Sequence, residues 1–352
     1  MRFSASLAFA LTTIAAFGTA SITPTVGQTL QLKLASAVGG GPIHELGAAA
    51  FSARIGQLSG GRVKVQVFPG GALGNALKVS ETVKNGIAEL GYSWMAYDWG
   101  ADTTTVLFAG YAGSPDSERM LHWVYEGGGL ALWRQFREEK FGVISIPMLI
   151  GPAEVFLHSR KPVRTLEDLK GLKIRTAGAW LEMVKEMGAA PVTMAAGEIF
   201  TSLERGVIDA AEFSTPSQNV PMGLHKATKY VIIPGIHQPT FVWELIINKD
   251  VWARFSDVDK KLFEDAARLV TFESWMRTGH DDANALDVFR KAGNEIIELA
   301  PEVQYKAREI AHAWAQKQSA ENPWFKRVYD SQLEFEKLWA DAERYRVVKT
   351  KR

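Results

Sequence analysis

Residues 30–35 (LQLKLA) alternate apolar and polar positions, the period of a strand with one buried face. Gly39-Gly40-Gly41-Pro42 breaks the pattern, and a helical stretch over about residues 43–58 follows. Ser59-Gly60-Gly61 then turns the chain into RVKVQVFP, a second alternating strand. A helix over about residues 75–84 stops at Gly86, as helices do where glycine follows their last turn. Residues 87–93 predict a third strand. Strands separated by helices predict a parallel sheet.

The middle of the chain repeats this order. Thr165 caps a short helix, with Asp168 three residues on as in a capping box, and Gly171 ends it. Residues 172–176 predict a strand with Leu172 and Ile174 on one face and Lys173 and Arg175 on the other. A helix over 179–187, a short strand over 190–194, a helix over 198–205 closed by Gly206, and a strand over 207–213 follow. Residues 80–93 and 200–213 echo each other, and aligning Gly86 with Gly206 sets Tyr92 opposite Glu212. Two readings stand. All βα units look alike, or two lobes face each other and both residues look into the crevice. From Ser256, which with Asp259 forms a capping signal, the chain is mostly helical, interrupted at Pro301 and Pro323.

Length and composition then narrow the class. A chain of 352 residues suits about two domains, and 47% apolar with 22% charged residues provides an ordinary globular core. The net charge of +1 points neither to nucleic acid nor to an anionic membrane surface. Arg2, the apolar run over residues 5–17 and Gly18-Thr19-Ala20 predict a signal peptide over 1–27, with cleavage after Ala20. That run is shorter than the roughly 18–20 apolar residues of a membrane span, although an uncleaved anchor is the other reading. With no cysteine there are no disulfides, no thiol chemistry, no zinc–cysteine site and no lipidation site. The expected address is the periplasm, as a free soluble protein.

Arg175 and Glu212 fall at the ends of two predicted strands, where open α/β sheets bind ligands. A guanidinium grips a carboxylate with two parallel hydrogen bonds, so Arg175 is the first candidate for a small anionic ligand. Its other reading is a structural or solvated arginine. Glu212 could hold a cation, accept a ligand hydroxyl or pair with Arg175, and if buried it requires a positive neighbour. Glu154 is a second acid, and two carboxylates with backbone carbonyls suit Na⁺ or Ca²⁺. Tyr92, Trp94, Tyr97, Trp180 and Trp243 serve either as core or as pocket wall. The chain contains no GxSxG, P-loop, HExxH or GxGxxG pattern, and His44-Glu45 lacks the second histidine of a zinc motif. Nothing therefore signals an enzyme or an organic cofactor.

LKGLKIRTAG, MGAAPVTMAAGEIFTSLERGVIDAAEF and GLHKATKY, with SGGRVKVQVFPGGALGN and NGIAELGYSW in the first half, together resemble the solute-binding proteins of TRAP transporters, the DctP-like family. The likeness is to its 2-oxoacid-binding branch and covers about residues 31–340. The resemblance implies an α/β, two-lobed periplasmic binding protein with a ligand cleft between lobes joined by crossing strands and a long helix. Lobe I would take 28–150 and about 241–285, lobe II 151–240, and C-terminal helices over 286–352 would pack on both. It also implies that Arg175 grips the ligand carboxylate and that Tyr92, Trp94, Tyr97 and Trp180 shape the pocket. A bridging Na⁺ or Ca²⁺ would be held by Glu212, the Phe213 carbonyl and Glu154. Phe213 stands where that branch has tryptophan, and Glu154 is nearest to a glutamine ligand, a change that adds negative charge and favours a divalent ion. The implied ligand is a 2-oxoacid or related monocarboxylate. The implied partners are the TRAP membrane permease subunits, with a homodimer through the C-terminal helices left open. A periplasmic enzyme acting on a carboxylated substrate, or the binding subunit of a sensor, are the other functional readings.

Overall fold

The structure is a computed structural model that describes residues 29–346. The signal peptide expected over 1–27 lies outside the described residues. No helix among those described is long and apolar enough to cross a membrane. In chain order the strands are β1 (Leu30–Ser36), β2 (Val63–Phe68), β3 (Leu90–Trp94), β4 (Val143–Gly151), β5 (Leu157–Ser159), β6 (Lys173–Arg175), β7 (Ala190–Val192), β8 (Ala210–Ala211), β9 (Tyr230–Ile233), β10 (Phe241–Asn248) and β11 (Glu295–Glu298).

They form two sheets, one per lobe. The first has the order β2-β1-β3-β10-β4 and the second β11-β9-β5-β8-β6-β7. Both contain the parallel pairs that the strand–helix alternation predicts: β1 with β2 and β3, and β6 with β7 and β8. Both are nevertheless mixed, because β10 runs antiparallel to β3 and β4, and β5 antiparallel to β8 and β9. The antiparallel strands carry the chain between lobes. β4 leaves the first sheet and, through residues 152–156, becomes β5 of the second; β9 returns through residues 234–240 to β10.

Several predicted elements are shorter than the sequence pattern. The strand expected over 207–213 is only β8, and the helix expected over 75–84 is Val79–Lys84. Beyond β8 the chain remains tied to its neighbour, since the Glu212 N–H donates to the Arg175 carbonyl at 3.2 Å. The capping box forms as read, with Thr165 and Asp168 bonding each other's backbone.

The long helix Asp257–Lys291 starts at Ser256, whose hydroxyl accepts from the Asp259 N–H at 3.1 Å. Its first half buries Phe263, Ala266, Ala267 and Val270 in the core of the first lobe, and Thr271 donates to the Pro147 carbonyl at 3.1 Å. Its second half reaches the other lobe, where Asp282 accepts from the Ser217 N–H at 2.7 Å and Phe289 packs with Val155 and Val231. The helices Pro301–Glu321 and Pro323–Arg346 touch both lobes as well: Trp314 donates to Glu182 at 2.7 Å and Gln332 to the Leu107 carbonyl at 2.8 Å.

One buried feature gave no sequence signal. Glu244, on β10, is paired with the equally buried Arg137, which also reaches Asp98 at 2.8 Å and Ser80 at 2.8 Å. Ser145 donates to the same carboxylate and accepts from the Trp133 indole at 2.7 Å. A buried charge in this core is tolerable only because each is met by an opposite one.

Candidate functional site

The two crossovers place charged residues side by side. Glu154 lies on the first and His237 on the second, and the Glu154 N–H donates to the Gln238 carbonyl at 3.1 Å, tying the segments together. Gly235 permits this approach, since a Cβ there would meet the Glu154 carbonyl oxygen at 2.5 Å. His237 Nε2 then stands 3.1 Å from Glu154 Oε2 and 3.7 Å from Glu212 Oε2. Phe156 and Trp180 pack on its ring, with centroids 5.7 and 6.3 Å away. Its Nδ1 is buried without a partner among the described residues.

Arg175 ends β6 and is 2% exposed. Its Nη1 donates to the Glu212 carbonyl at 2.9 Å and to Glu212 Oε2 at 3.2 Å. Nε and Nη2 both donate to the Met194 carbonyl at 3.3 Å. The other Glu212 oxygen accepts from the Ala177 N–H at 2.9 Å, in the turn that Gly178 completes at φ +65°. Glycine adopts that conformation without steric cost. The pairing of Glu212 with Arg175, left open in the sequence, is thus present, and Glu212 faces His237 besides.

Four buried ionisable groups, two bases and two acids, meet in this cluster: Arg175, His237, Glu154 and Glu212. Burial drives Glu154 up to about 7, against the hydrogen bond and charge of His237. Burial also opposes charge on Glu212, but the Arg175 guanidinium and His237 outweigh it and hold the carboxyl below its usual range. For His237 burial favours the neutral ring, whereas hydrogen bonds and charge from Glu154 and Glu212 push the imidazole up to about 9.

The cluster lines an inner cavity of about 20 Å³, walled by Trp94, Tyr97, Phe213 and Trp243 as well. That is close to the room one water needs. Tyr97 meets Trp94 and Trp243 edge to face, at 5.4 and 6.2 Å between centroids. The Phe213 ring lies 5.8 Å from the Arg175 Cζ, within cation–π range. Phe213 also borders a second, larger and mostly apolar cavity of about 400 Å³, between the loop at Gly39, Gly40 and Gly41 and the helix Ala196–Glu204.

Of the expected pocket residues, Glu154, Arg175, Glu212, Phe213, Trp94 and Tyr97 come together at the inner cavity, and Tyr92 and Trp180 do not. Tyr92 is fully buried in the first lobe, its hydroxyl donating to the Ile43 carbonyl at 3.0 Å and its ring 4.9 Å from Trp243. It turns to the helix side of its sheet, so the echo that set it opposite Glu212 aligns the chain but not the side chains. Trp180 sits behind His237 and steadies the imidazole rather than bordering the cavity. His237, Gln238 and Trp243 join the lining. His237 and Gln238 have no motif spacing, because only the return crossover brings them to Glu154.

The expected cation can be tested against this donor set. The nitrogen and two carboxylate oxygens lie within 4.8 Å of one another, a spacing a metal could span. Na⁺ and Ca²⁺, however, take oxygen ligands, six to eight for calcium. Here one of the three donors is the His237 nitrogen, 3.1 Å from Glu154 Oε2. Glu212 Oε2 is already an acceptor for Arg175. Glu154 and Glu212 thus supply part of a hard cation's oxygen shell, which the oxygens of a bound acid or water would complete.

With the geometry in place, three comparisons define its relatives. A monocarboxylate 2-oxoacid-binding periplasmic protein of Nostoc sp. is 27% identical over 294 residues, which are 83% of this chain and 80% of that protein. A TRAP transporter solute-binding protein of Bordetella bronchiseptica, crystallised as a dimer with copurified calcium and picolinate in one site, superimposes with a TM-score of 0.86 at 22% identity, covering 90% of this chain and 95% of that one. A TRAP periplasmic solute-binding protein of Pseudoalteromonas atlantica with bound sodium and pyruvate gives 0.84 at 23% identity, covering 92% and 100%. Both likenesses carry the two-lobed fold. The family profile of bacterial extracellular solute-binding proteins, family 7, matches residues 35–322. Over that span, which holds the whole charged cluster and every strand but the start of β1, the chain belongs to the DctP family of solute-binding proteins.

Proposed function

We propose that this chain is the periplasmic solute-binding subunit of a TRAP transporter, capturing an organic acid of the 2-oxoacid or monocarboxylate type and delivering it to the membrane permease. The observation that carries this reading is the buried Arg175 between two lobes, with His237 nearby. The guanidinium fork of Arg175, at the end of β6, favours a carboxylate. The neighbouring cavity of about 400 Å³, bordered by Phe213, Phe200 and Met222, receives the carbon chain. Because the inner cavity holds about one water, binding begins with separation of the lobes at residues 152–156 and 234–240. The carboxylate then competes with Glu212 for Arg175.

A thermal-shift screen of pyruvate, longer 2-oxoacids, malonate and picolinate tests it. A ligand at a hundred times its dissociation constant adds about 2.7 kcal/mol to native stability, because it binds only the folded state. A raised Tm for monocarboxylates is the expected result. If sugars or amines shift the melt and no organic acid does, the ligand class is wrong.

A further inference from the structure

Resting on that ligand reading, we propose that the acid this chain selects carries a bulky apolar tail, aliphatic or aromatic, which runs past Phe213 into the larger cavity. Pyruvate, whose tail is one methyl group, would leave that cavity empty. Phe213 is the one residue that lines both the larger cavity and the inner one beside Arg175. A ligand whose carboxylate is held at Arg175 therefore reaches the larger space along the Phe213 ring.

Size, wall chemistry and the glycines of the lining agree on such a tail. At about 400 Å³ the cavity falls in the range of clefts that enclose whole small-molecule ligands. Val38, Ile43, Phe200, Phe213 and Met222 give it apolar walls. Gln218 is the only polar side chain in the lining, and it is already engaged: its carbonyl oxygen accepts from the Ser214 hydroxyl, and its Nε2 donates to Thr278 at 3.4 Å. The wall side chains thus leave no free hydrogen bond for a hydroxylated tail, whereas each methylene buried against them gains about fourfold in affinity. Among the glycines, Gly41 is required by its backbone, at φ +78°, but Gly39, Gly40 and Gly197 are not in the left-handed region. Gly197 lies in the first turn of the helix Ala196–Glu204, where glycine is less stable than alanine. A Cβ at any of these three positions would meet nothing within 4 Å, so no close contact excludes a side chain either. What they preserve is space. All three are exposed while lining the cavity, which places them at its mouth, on the loop after β1 and on the helix facing it.

Calorimetry on the wild-type protein, in buffer containing sodium and calcium, reads the tail directly. The probes are pyruvate, 2-oxohexanoate, 2-oxooctanoate, phenylpyruvate, gluconate and octylamine. Affinity should rise along the aliphatic series, by at least about thirtyfold from pyruvate to 2-oxooctanoate, because the gain of each added methylene is partly offset by ordering the tail. Phenylpyruvate should also bind more tightly than pyruvate. Gluconate, with a hydroxylated tail, should bind no more tightly than pyruvate, and octylamine, with a tail and no carboxylate, should not bind. Gly197→Leu places a side chain at the mouth on a helix that accommodates leucine. It should lower the ratio of 2-oxooctanoate to pyruvate affinity at least about tenfold, since the added carbons crowd the tail. Pyruvate or gluconate bound as tightly as 2-oxooctanoate overturns the proposal and leaves the organic-acid reading standing. An unchanged ratio in Gly197→Leu overturns it as well, because the tail would then lie elsewhere. If none of the acids binds, or octylamine binds in their place, both readings fall. Should Gly197→Leu not fold, Gly40→Leu on the facing loop is read in the same way, and the wild-type series decides the tail unaided.

Discussion

The Arg175 guanidinium donates to both the carboxylate and the carbonyl of Glu212, at 3.2 and 2.9 Å, so the strongest anion-binding group in the cavity is already engaged by the protein. The pair comes from neighbouring strands of the second sheet, Arg175 closing β6 and Glu212 following β8. A buried pair of this kind adds little net stability, but loss of either partner strands the other charge.

Two substitutions separate its roles. Arg175→Lys keeps the charge and loses the planar fork, so it should weaken acid binding at least about tenfold, as one or two charged hydrogen bonds are lost. Arg175→Met leaves Glu212 facing His237 alone and should cost about 3–5 kcal/mol of stability. Calorimetry with the best acid from the screen and denaturant melts measure the two. Unchanged affinity in the lysine variant would remove Arg175 from the binding role.

Gly235→Ala places a methyl group against the Glu154 backbone and must push the two crossovers apart. Overpacking of this kind costs about 1–3 kcal/mol. Since it also moves His237 off Glu154, ligand affinity should fall along with Tm. A variant with wild-type Tm and wild-type affinity would show that the crossovers tolerate the displacement.

How far the sequence could be read is clearest at these residues. Alternation at 30–35 and 62–69 locates β1 and β2 because each strand has one buried and one open face. Arg175 is legible because it ends a predicted strand, although it is buried along with Ile174, which alternation alone does not show. Glu154 was found as an acid but not as a crossover residue. His237 was not found, since its function depends on a return connection 83 residues further along the chain. Tyr92 was misplaced for a related reason: strand alternation says that neighbours point to opposite faces, but not which face borders a cleft. Glu244 reads as an interruption in the apolar run FVWELIIN until Arg137 is seen to meet it.

That second cluster makes its own prediction. Arg137→Met leaves the buried Glu244 beside the partly buried Asp98 and should cost about 3–5 kcal/mol. Pairing it with Glu244→Leu should recover a large part of the loss, because both charges leave the core together. A double-mutant cycle in urea measures the coupling. Additive losses would mean that the pair is not a coupled unit.

His158 predicts how stability depends on acid. Its ring is fully buried on β5, accepts from the Asn219 amide at 3.2 Å through Nε2, and packs 5.3 Å from Phe289. Burial, with the nearby His225 adding to it, lowers its titration from 6.5 to about 3. The unfolded chain therefore takes up a proton as pH falls through about 6.5, whereas the folded protein does not until about 3. Stability from this group is complete above 6.5 and declines towards 3, at up to roughly 1.4 kcal/mol per pH unit. Chemical denaturation at pH 7.5 and 4.5 should show a loss in the wild type that exceeds the loss in His158→Gln by at least about 1 kcal/mol. Glutamine retains an acceptor for Asn219 and carries no titrating proton, so equal losses in the two proteins would mean that His158 is not what acid attacks.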